Sequence, residues 1–322
     1  MNAVGTGTGS AGAHQRTVLL TGATGFIGSH CIEPLRRRGY QVVATYNARE
    51  PRAIDGVRWV KADLLGAEAA AQLLAETSVS HLLHLAWYVE PGKMISHPDN
   101  LSWSRASIDL LRQFREGGGE RCVIGGSCYE YDWRYGYCNE QLTPRQPDTL
   151  YGAAKHGLAE TLLGYCAASG LSGAWGRMFF LYGPNENPRR LVPSVILSLL
   201  KGEPALSSHG QQVRDYMHVR DVAEGMVALL DSPARGAYNI ASGRATTIVS
   251  IVETLGELTG RNDLLRIGAI AARANDAPVV VGDPAAAKRD FGWEASISLR
   301  DGLRATVDWW RNELGRSADN HA

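Results

Sequence analysis

Residues 16–46 read RTVLLTGATGFIGSHCIEPLRRRGYQVVATY, and the order of residue types within them decides the fold. A short apolar run, Val18 to Leu20, has the composition of a strand buried on both faces. A glycine-rich loop follows, then a pattern that predicts an amphipathic helix from about Phe26 to Arg38. Gly39 stops that helix, and Val42 to Thr45 reads as a second strand, so the stretch is one βαβ unit. Gly22, Gly25 and Gly28 occupy the strand-to-helix turn with the spacing GxxGxxG. Glycine there lets the backbone approach a pyrophosphate, and the helix start supplies free N–H groups at a positive dipole end. The spacing alone fits any tight turn; the strand before it and the helix after it make it a candidate dinucleotide loop.

The end of the second strand bears on which dinucleotide. NAD-preferring sites place an acidic residue there to hold the ribose 2′-hydroxyl. Here Tyr46 and Asn47 stand at that point, followed by Arg49 and Arg52. An uncharged strand end with arginines nearby suits a 2′-phosphate, so NADP(H) is favoured and NAD(H) stays possible; the alternative is that the arginines are solvated loop charges.

Outward from this unit the alternation continues. VRWVKADL predicts a strand ending near Asp63, AEAAAQLLAE a helix, VSHLLHLAW a strand, SWSRASIDLLRQFREGG a helix and RCVIGGS a fifth strand. Strands alternating with helices predict an α/β protein with a doubly wound parallel sheet. Ligands of such sheets lie at the carboxyl ends of the strands, where Ser127 falls. Downstream, Tyr151 to Ala168 predicts a helix closed by Gly170. Tyr151 and Lys155 are four apart and share a face of it. An ammonium near a phenol favours the phenolate, which makes Tyr151 a candidate general acid or base.

Composition narrows the class. The 322 residues are 44% hydrophobic and 20% charged, with 33 basic and 33 acidic side chains, a balance that argues against a general nucleic-acid binder. No apolar run is long enough for a bilayer, so no membrane partner is expected. Residues 1–15 lack the basic start and apolar stretch of a signal peptide and read as a disordered leader; the tail GRSADNHA reads as equally loose. Five cysteines without a CxxC pair suggest neither a metal nor a disulfide framework and fit a reducing cytoplasm. His81 and His84 are three apart in one strand, hence on opposite faces, which does not favour a metal site. Trp309 and Trp310 read as the packing face of the last helix.

TGATGFIG, Asp63-Leu64, HLAW, Ser127 and YGAAK together resemble the extended short-chain dehydrogenase/reductases, the sugar-nucleotide epimerase, dehydratase and reductase group with a Rossmann domain. The resemblance spans roughly residues 17 to 310 and includes RMFFLYGP, VRDYMHVRDVA, GAYNIASG and ARANDAPVVVGDPAAAKRDFGW in the order usual for that family. It implies that Tyr151 exchanges the proton with the sugar, that Lys155 binds the nicotinamide ribose and tunes Tyr151, and that Ser127 hydrogen-bonds the reacting oxygen. It implies cofactor contacts from Gly22, Thr24, Gly25, Phe26, Ile27 and Gly28, from Asp63 and Leu64 at the adenine, and from Leu85, Ala86 and Trp87 toward the ribose. On the substrate side it implies Ser127, Cys128, Tyr129, Phe180 and Arg189, with Arg214 and Arg273 facing a nucleotide diphosphate that guanidinium groups grip well; Tyr131 matches a position near the substrate.

Departures from the family refine the expectation. Cys128 and Tyr129 stand where 4,6-dehydratases carry Asp-Glu, which speaks against dehydration. Phe180 replaces a substrate-side Asn, and Trp103 replaces a structural Asn, with Asn100 one turn earlier. Tyr46 replaces the NAD-selecting Asp. Cys128 is weighed as an acid/base group with His218 as its partner, against a small buried side chain. The expected function is NADP(H)-dependent reduction of the C4 keto group of a nucleotide-linked 4-keto-6-deoxyhexose; the alternatives are an NAD(P)-dependent sugar-nucleotide 4-epimerase and, in another class, a non-catalytic NADPH-binding protein. The expected organisation is a dinucleotide-binding domain over residues 16–182, rejoined at about 215–250, and a smaller sugar-nucleotide lobe over 183–316. Family behaviour adds a homodimer through the helices Ser102 to Gly117 and Tyr151 to Ala168.

Overall fold

The computed structural model of the chain describes residues 16–48, 50–272 and 276–319. The expected leader, Arg49 and Arg273 lie outside the described residues. The first turn of the chain forms as its sequence predicts: strand β1 (Thr17–Thr21), helix α1 (Phe26–Arg37) and strand β2 (Gln41–Tyr46). Strand β3 (Val57–Lys61), helix α2 (Ala69–Ala75), β4 (His81–His84), α3 (Asp99–Glu116) and β5 (Arg121–Ser127) follow. Helix α4 (Leu150–Ser169) ends where Gly170 takes the left-handed conformation at φ 73°, and leads to β6 (Ser172–Met178).

After α5 (Leu191–Lys201), α6 (Val219–Asp231) and β7 (Gly236–Ile240) return to the same sheet. Its order is β7-β6-β5-β4-β1-β2-β3, with every neighbouring pair parallel. Parallel strands need crossover helices, and those cover both faces. Val18 and Leu20 of β1 pack with Leu35 of α1 and Val222 and Met226 of α6. Leu19 packs on the opposite face with Leu110 and Phe114 of α3 and Leu158 and Leu162 of α4. That double cover explains why β5 is buried along all seven residues. Because the chain leaves β1 toward β2 on one side and β4 on the other, a crevice opens at their carboxyl ends.

The remaining strands build smaller sheets. Thr246–Thr247, Val213–Arg214, Val279–Gly282 and Tyr137–Cys138 form one of four strands, and Phe180–Tyr182 pairs with Tyr216–His218. Val195, Ile196 and Leu199 of α5 meet Ile251 and Leu255 of α7 (Ile248–Thr259) in a separate cluster with Leu303 and Val307. The last helix runs Leu299–Asp319, so much of the tail expected to be loose is helical; the Asp308–Arg311 and Glu313–Arg316 pairs, three apart, support its exposed side.

One buried charge holds the end of α6. Arg121, at the start of β5, donates through Nε to Leu230 O (2.7 Å) and through Nη2 to Leu229 O (2.5 Å) and Ala234 O (2.8 Å). These carbonyls lie at and just beyond a helix end, where no intrahelical donor serves them. Arg121→Met is therefore expected to cost about 3 kcal/mol of stability, the scale of charge-assisted bonds lost with buried acceptors left unpaired; urea unfolding measures it, and an unchanged midpoint would refute the capping role.

Candidate active site

The crevice begins at the glycine turn. Gly22 has φ +70°, and a Cβ on it would stand 2.7 Å from Ala86 N, so glycine is required for β1 and the end of β4 to lie this close. Gly28 is as constrained: its Cβ would meet Gly22 O at 2.1 Å. Gly25 caps α1 with no side-chain partner, and the first turn of α1 has no acidic residue. The uncapped N–H groups and the positive helix end suit a pyrophosphate, with Thr24 and Gly25 exposed and Phe26 and Ile27 half-buried beside them. Leu85 and Ala86 are half-buried across the turn, where Leu85 N donates to Thr21 O.

At the end of β2, Tyr46 is half-buried and Asn47 exposed, with no carboxylate at the strand end. Asp63, just past β3, is exposed and accepts from Leu65 N at 3.2 Å, while Leu64 is buried beside it. Arg52 is exposed.

Ser127, Tyr151 and Lys155 converge at the end of β5. Ser127 begins a 3-10 turn, Cys128–Glu130, and its Oγ accepts from the turn's backbone N–H groups, Tyr129 N at 3.3 Å. Its own proton is thereby free to donate, and it hydrogen-bonds the Tyr151 hydroxyl. Tyr151 is held edge-on by Trp87 (6.5 Å between ring centres) and Tyr129 (5.6 Å). Burial pushes its phenol up from the ordinary value, and the Ser127 hydroxyl pulls the other way. The expected depression by Lys155 is not what this arrangement gives. Lys155 Nζ instead donates to Gly125 O (2.7 Å) and lies 3.7 Å from the centre of the Trp87 ring. Burial takes its ammonium down to about 7.

Two neighbours frame this lysine. Asn100, fully buried, accepts from Trp87 Nε1 (2.9 Å) and donates to Met94 O and His97 O, so it orients the indole. That is the work of Asn100 in a chain that has Trp103 where the family keeps an Asn; Trp103 packs 6.3 Å from Trp87. His84 bridges Thr21 Oγ1 (2.6 Å) and Ser107 Oγ (2.8 Å), and burial, then the Lys155 charge, keep it neutral with a pKa of about 3. His81 faces the other side of the sheet against Tyr40, 5.1 Å away. Among the described residues, no three His, Cys, Asp or Glu side chains are grouped to hold a metal ion.

On the open side of Tyr151 runs a row of rings: Tyr129 with Trp133 (4.4 Å), Trp133 with Phe180 (6.1 Å) and Phe180 with Tyr216 (5.6 Å). Arg214 lies over Trp133 and Phe180 and bonds Asp276 at 2.5 Å. Arg189 is exposed and pairs with Glu90. Cys128 packs with Tyr131, Cys138 and Phe179, and burial holds its thiol well above the ordinary value. His218 caps α6, accepting from Arg220 N through Nδ1, and faces Tyr182, so Cys128 is the small buried side chain of the two readings weighed for it and forms no couple with His218. Tyr131 is corrected too: it is buried, with its hydroxyl donating to Asn239 Oδ1 at 2.8 Å, and it serves the interior, not the cleft.

The family model that matches residues 18–241 is the NAD dependent epimerase/dehydratase family. The chain belongs to that family. UDP-glucose 4-epimerase of Bacillus subtilis (strain 168) is 28% identical over 91% of this chain and 96% of its own length. The UDP-glucose 4-epimerase of Thermus thermophilus, solved in complex with NAD, superimposes with a TM-score of 0.82 at 27% identity, covering 92% of this chain and 99% of that one. MoeE5, solved with UDP-glucose and NAD, gives 0.80 at 30% identity over 93% and 99%.

Several buried carboxyl groups escaped the sequence reading, Glu130 and Glu186 among them. Glu130 has no exposure and lies directly under Ser127. Glu186, in the segment between Phe180–Tyr182 and α5, is raised to about 8 by burial. Glu130 carries a readable signal: with Ser127 it forms the S-x-x-E of a capping box.

Proposed function

We propose that this protein is a sugar-nucleotide 4-epimerase: the hydride leaves C4 and the proton leaves the C4 hydroxyl of a nucleotide-linked hexose, and the hydride then returns to the other face of C4 and the proton to its oxygen. The observation that carries the reading is the Ser127–Tyr151 hydroxyl pair at the end of β5. Family membership and the likeness to two UDP-glucose 4-epimerases support it.

The cradle fits a nicotinamide dinucleotide. Gly22, Gly25 and Gly28 leave the turn no side chain where the pyrophosphate would lie, and the first turn of α1 presents its N–H groups there. Asp63 and Leu64 are proposed at the adenine and Lys155 at the nicotinamide ribose. The bound dinucleotide supplies the hydride acceptor and donor. Tyr151 takes the proton from O4 and gives it back, which asks its phenol to ionise in a site that burial disfavours. Ser127 donates to the same oxygen and favours the phenolate against the effect of burial. Cys128 and Tyr129, a buried thiol and a phenol, do not supply the carboxylate pair of a 4,6-dehydratase. Arg214 and Arg273 are proposed at the diphosphate, and Phe180, Tyr129 and Arg189 at the sugar side. Segments beyond about residue 183, apart from α6 and β7, are proposed to form the substrate lobe. A dimer is proposed through α3 and α4; Leu101 and Ile108 stand exposed on α3.

A second reading has one observation of its own. Tyr46 and Asn47 leave the end of β2 uncharged, as an NADP(H) site requires, and net reduction of a nucleotide-linked 4-keto-6-deoxyhexose draws on NADPH. One experiment separates the two. The cofactor released from purified protein by acid is identified, and the protein is then incubated with UDP-glucose, UDP-glucuronic acid and NDP-4-keto-6-deoxyhexoses, products being read by NMR. Tightly held NAD⁺ and a C4 epimer are expected. Stoichiometric loss of NADPH with a keto sugar, and no epimer, would replace this reading by the second.

A further inference from the structure

The geometry points to Glu130 as a positioning residue that locks Ser127 from beneath and supplies the counter-charge of Lys155. This rests on the catalytic reading of Ser127, Tyr151 and Lys155 given above.

Glu130 Oε1 accepts from the backbone N–H of Ser127 and from Trp175 Nε1, both at 2.8 Å. Its Oε2 accepts from Arg177 Nε at 2.6 Å. The carboxylate is fully buried, and its partners sit on two neighbouring strands: Ser127 at the end of β5, and Trp175 and Arg177 on β6. The chain makes room for it. A Cβ at Gly126 would stand 2.0 Å from Trp175 Nε1 and 2.7 Å from Glu130 Oε1, so the residue before Ser127 has no side chain because an indole and a carboxylate fill that space. A merely structural charge pair does not need to reach the reacting serine; this one bonds its backbone.

The second half of the role concerns charge. Lys155 has a carbonyl and two rings around it, Gly125 O, Trp87 at 3.7 Å and Trp175 at 5.9 Å, and a ring face stabilises an ammonium only modestly. The Trp175 indole stands between the two charges, its ring 5.9 Å from Lys155 Nζ and its Nε1 bonded to Glu130 Oε1 at 2.8 Å, so Glu130 is the negative group whose attraction opposes the effect of burial on Lys155. The charged and titratable groups facing Glu130 are Lys155 and Tyr151 from α4, Arg177 from β6, and Cys128 and Tyr131 from its own turn and the residue after it. Removing the carboxylate charge leaves burial unopposed, so Lys155 loses its proton at lower pH. The same charge raises the Tyr151 phenol, so Glu130 sustains the lysine charge against burial and opposes ionisation of the tyrosine.

The test is Glu130→Gln, which keeps an acceptor for Ser127 N and Trp175 Nε1 but not the charge. In lysine-labelled protein, the Lys155 side-chain resonance, identified by its loss in Lys155→Met, is titrated by NMR. Its midpoint is expected to fall by about one pH unit, the lower end for loss of an opposite charge at close range. The alkaline limb of kcat/KM should move with it, so that activity drops about tenfold at pH 8.5 and only about twofold at pH 6. Because Glu130→Gln strands the buried Arg177 charge, Glu130→Gln/Arg177→Met is prepared in parallel; it leaves no stranded guanidinium, and since Glu130 is the charge that opposes burial at Lys155, the Lys155 midpoint should again fall. A Lys155 midpoint equal to that of the parent protein in a folded variant overturns the inference. If instead Lys155→Met keeps full turnover, the catalytic reading fails, while the titration still decides the role of Glu130.

Discussion

Replacing Tyr151 by Phe is expected to lower kcat about a thousandfold, within the range that a positioned proton donor contributes. The substitution removes one oxygen from a ring that is otherwise held by its neighbours. Trp87 and Tyr129 contact that ring edge-on, and Phe keeps both contacts. Ser127 loses a hydrogen-bond partner but keeps the backbone N–H of Tyr129. Fold and cofactor binding should therefore survive, and the loss should sit in kcat with little change in dinucleotide affinity. Circular dichroism, a dinucleotide titration and steady-state turnover on the same preparation check the three parts. Turnover within about tenfold of the parent protein would remove Tyr151 from the chemistry, since so small a loss is below what general acid–base catalysis supplies.

Local rules made much of this site readable in advance. The βαβ order, the glycine turn and the parallel sheet follow from strand and helix periods and from the conformations only glycine adopts, and each is decided within about a dozen residues. The placement of Tyr151 and Lys155 on one buried side of α4 was legible for the same reason, because four residues on a helix is about one turn. The orientation of Lys155 was not legible. Its ammonium points to a carbonyl of β5 and to an indole from the loop after β4, and no pattern within α4 encodes either.

Glu130 shows the limit most plainly. In sequence it is one carboxylate among aromatics in a crowded stretch. Its decisive partners, Trp175 and Arg177, lie 45 and 47 residues further on, and only sheet pairing brings them under Ser127. Tyr131 misled for the converse reason: a position in a motif says where the backbone runs, whereas burial against Asn239 decides what the side chain meets. The end of the chain misled by composition. Polar and small residues in GRSADNHA suggest a loose tail, yet the last helix, Leu299–Asp319, anchored by Leu303 and Val307, carries its turns on to Asp319.

Gly28→Ala is expected to reduce dinucleotide affinity about a hundredfold and to destabilise the fold, by overpacking that costs about 1–3 kcal/mol. The added methyl would meet Gly22 O at 2.1 Å, Gly22 C at 2.7 Å and Ala23 Cα at 2.9 Å, all backbone atoms of the turn itself. None of them can swing aside as a side chain could. Gly22 cannot absorb the displacement either, because it is already at φ +70° and packed against Ala86 N and Leu85 C. The turn must open, and with it the start of α1 that aims its N–H groups at the crevice. Gly25→Ala makes the informative contrast. Its Cβ has only Gly22 O nearby, at 3.1 Å, and Gly25 is exposed. That variant should keep nearly the stability of the parent protein and lose affinity, because its methyl occupies space the pyrophosphate needs. Calorimetric titration with NAD and thermal unfolding of both variants separate the effects. Gly28→Ala binding NAD within about threefold of the parent protein, a difference of under 1 kcal/mol, would mean that the turn does not hold the dinucleotide.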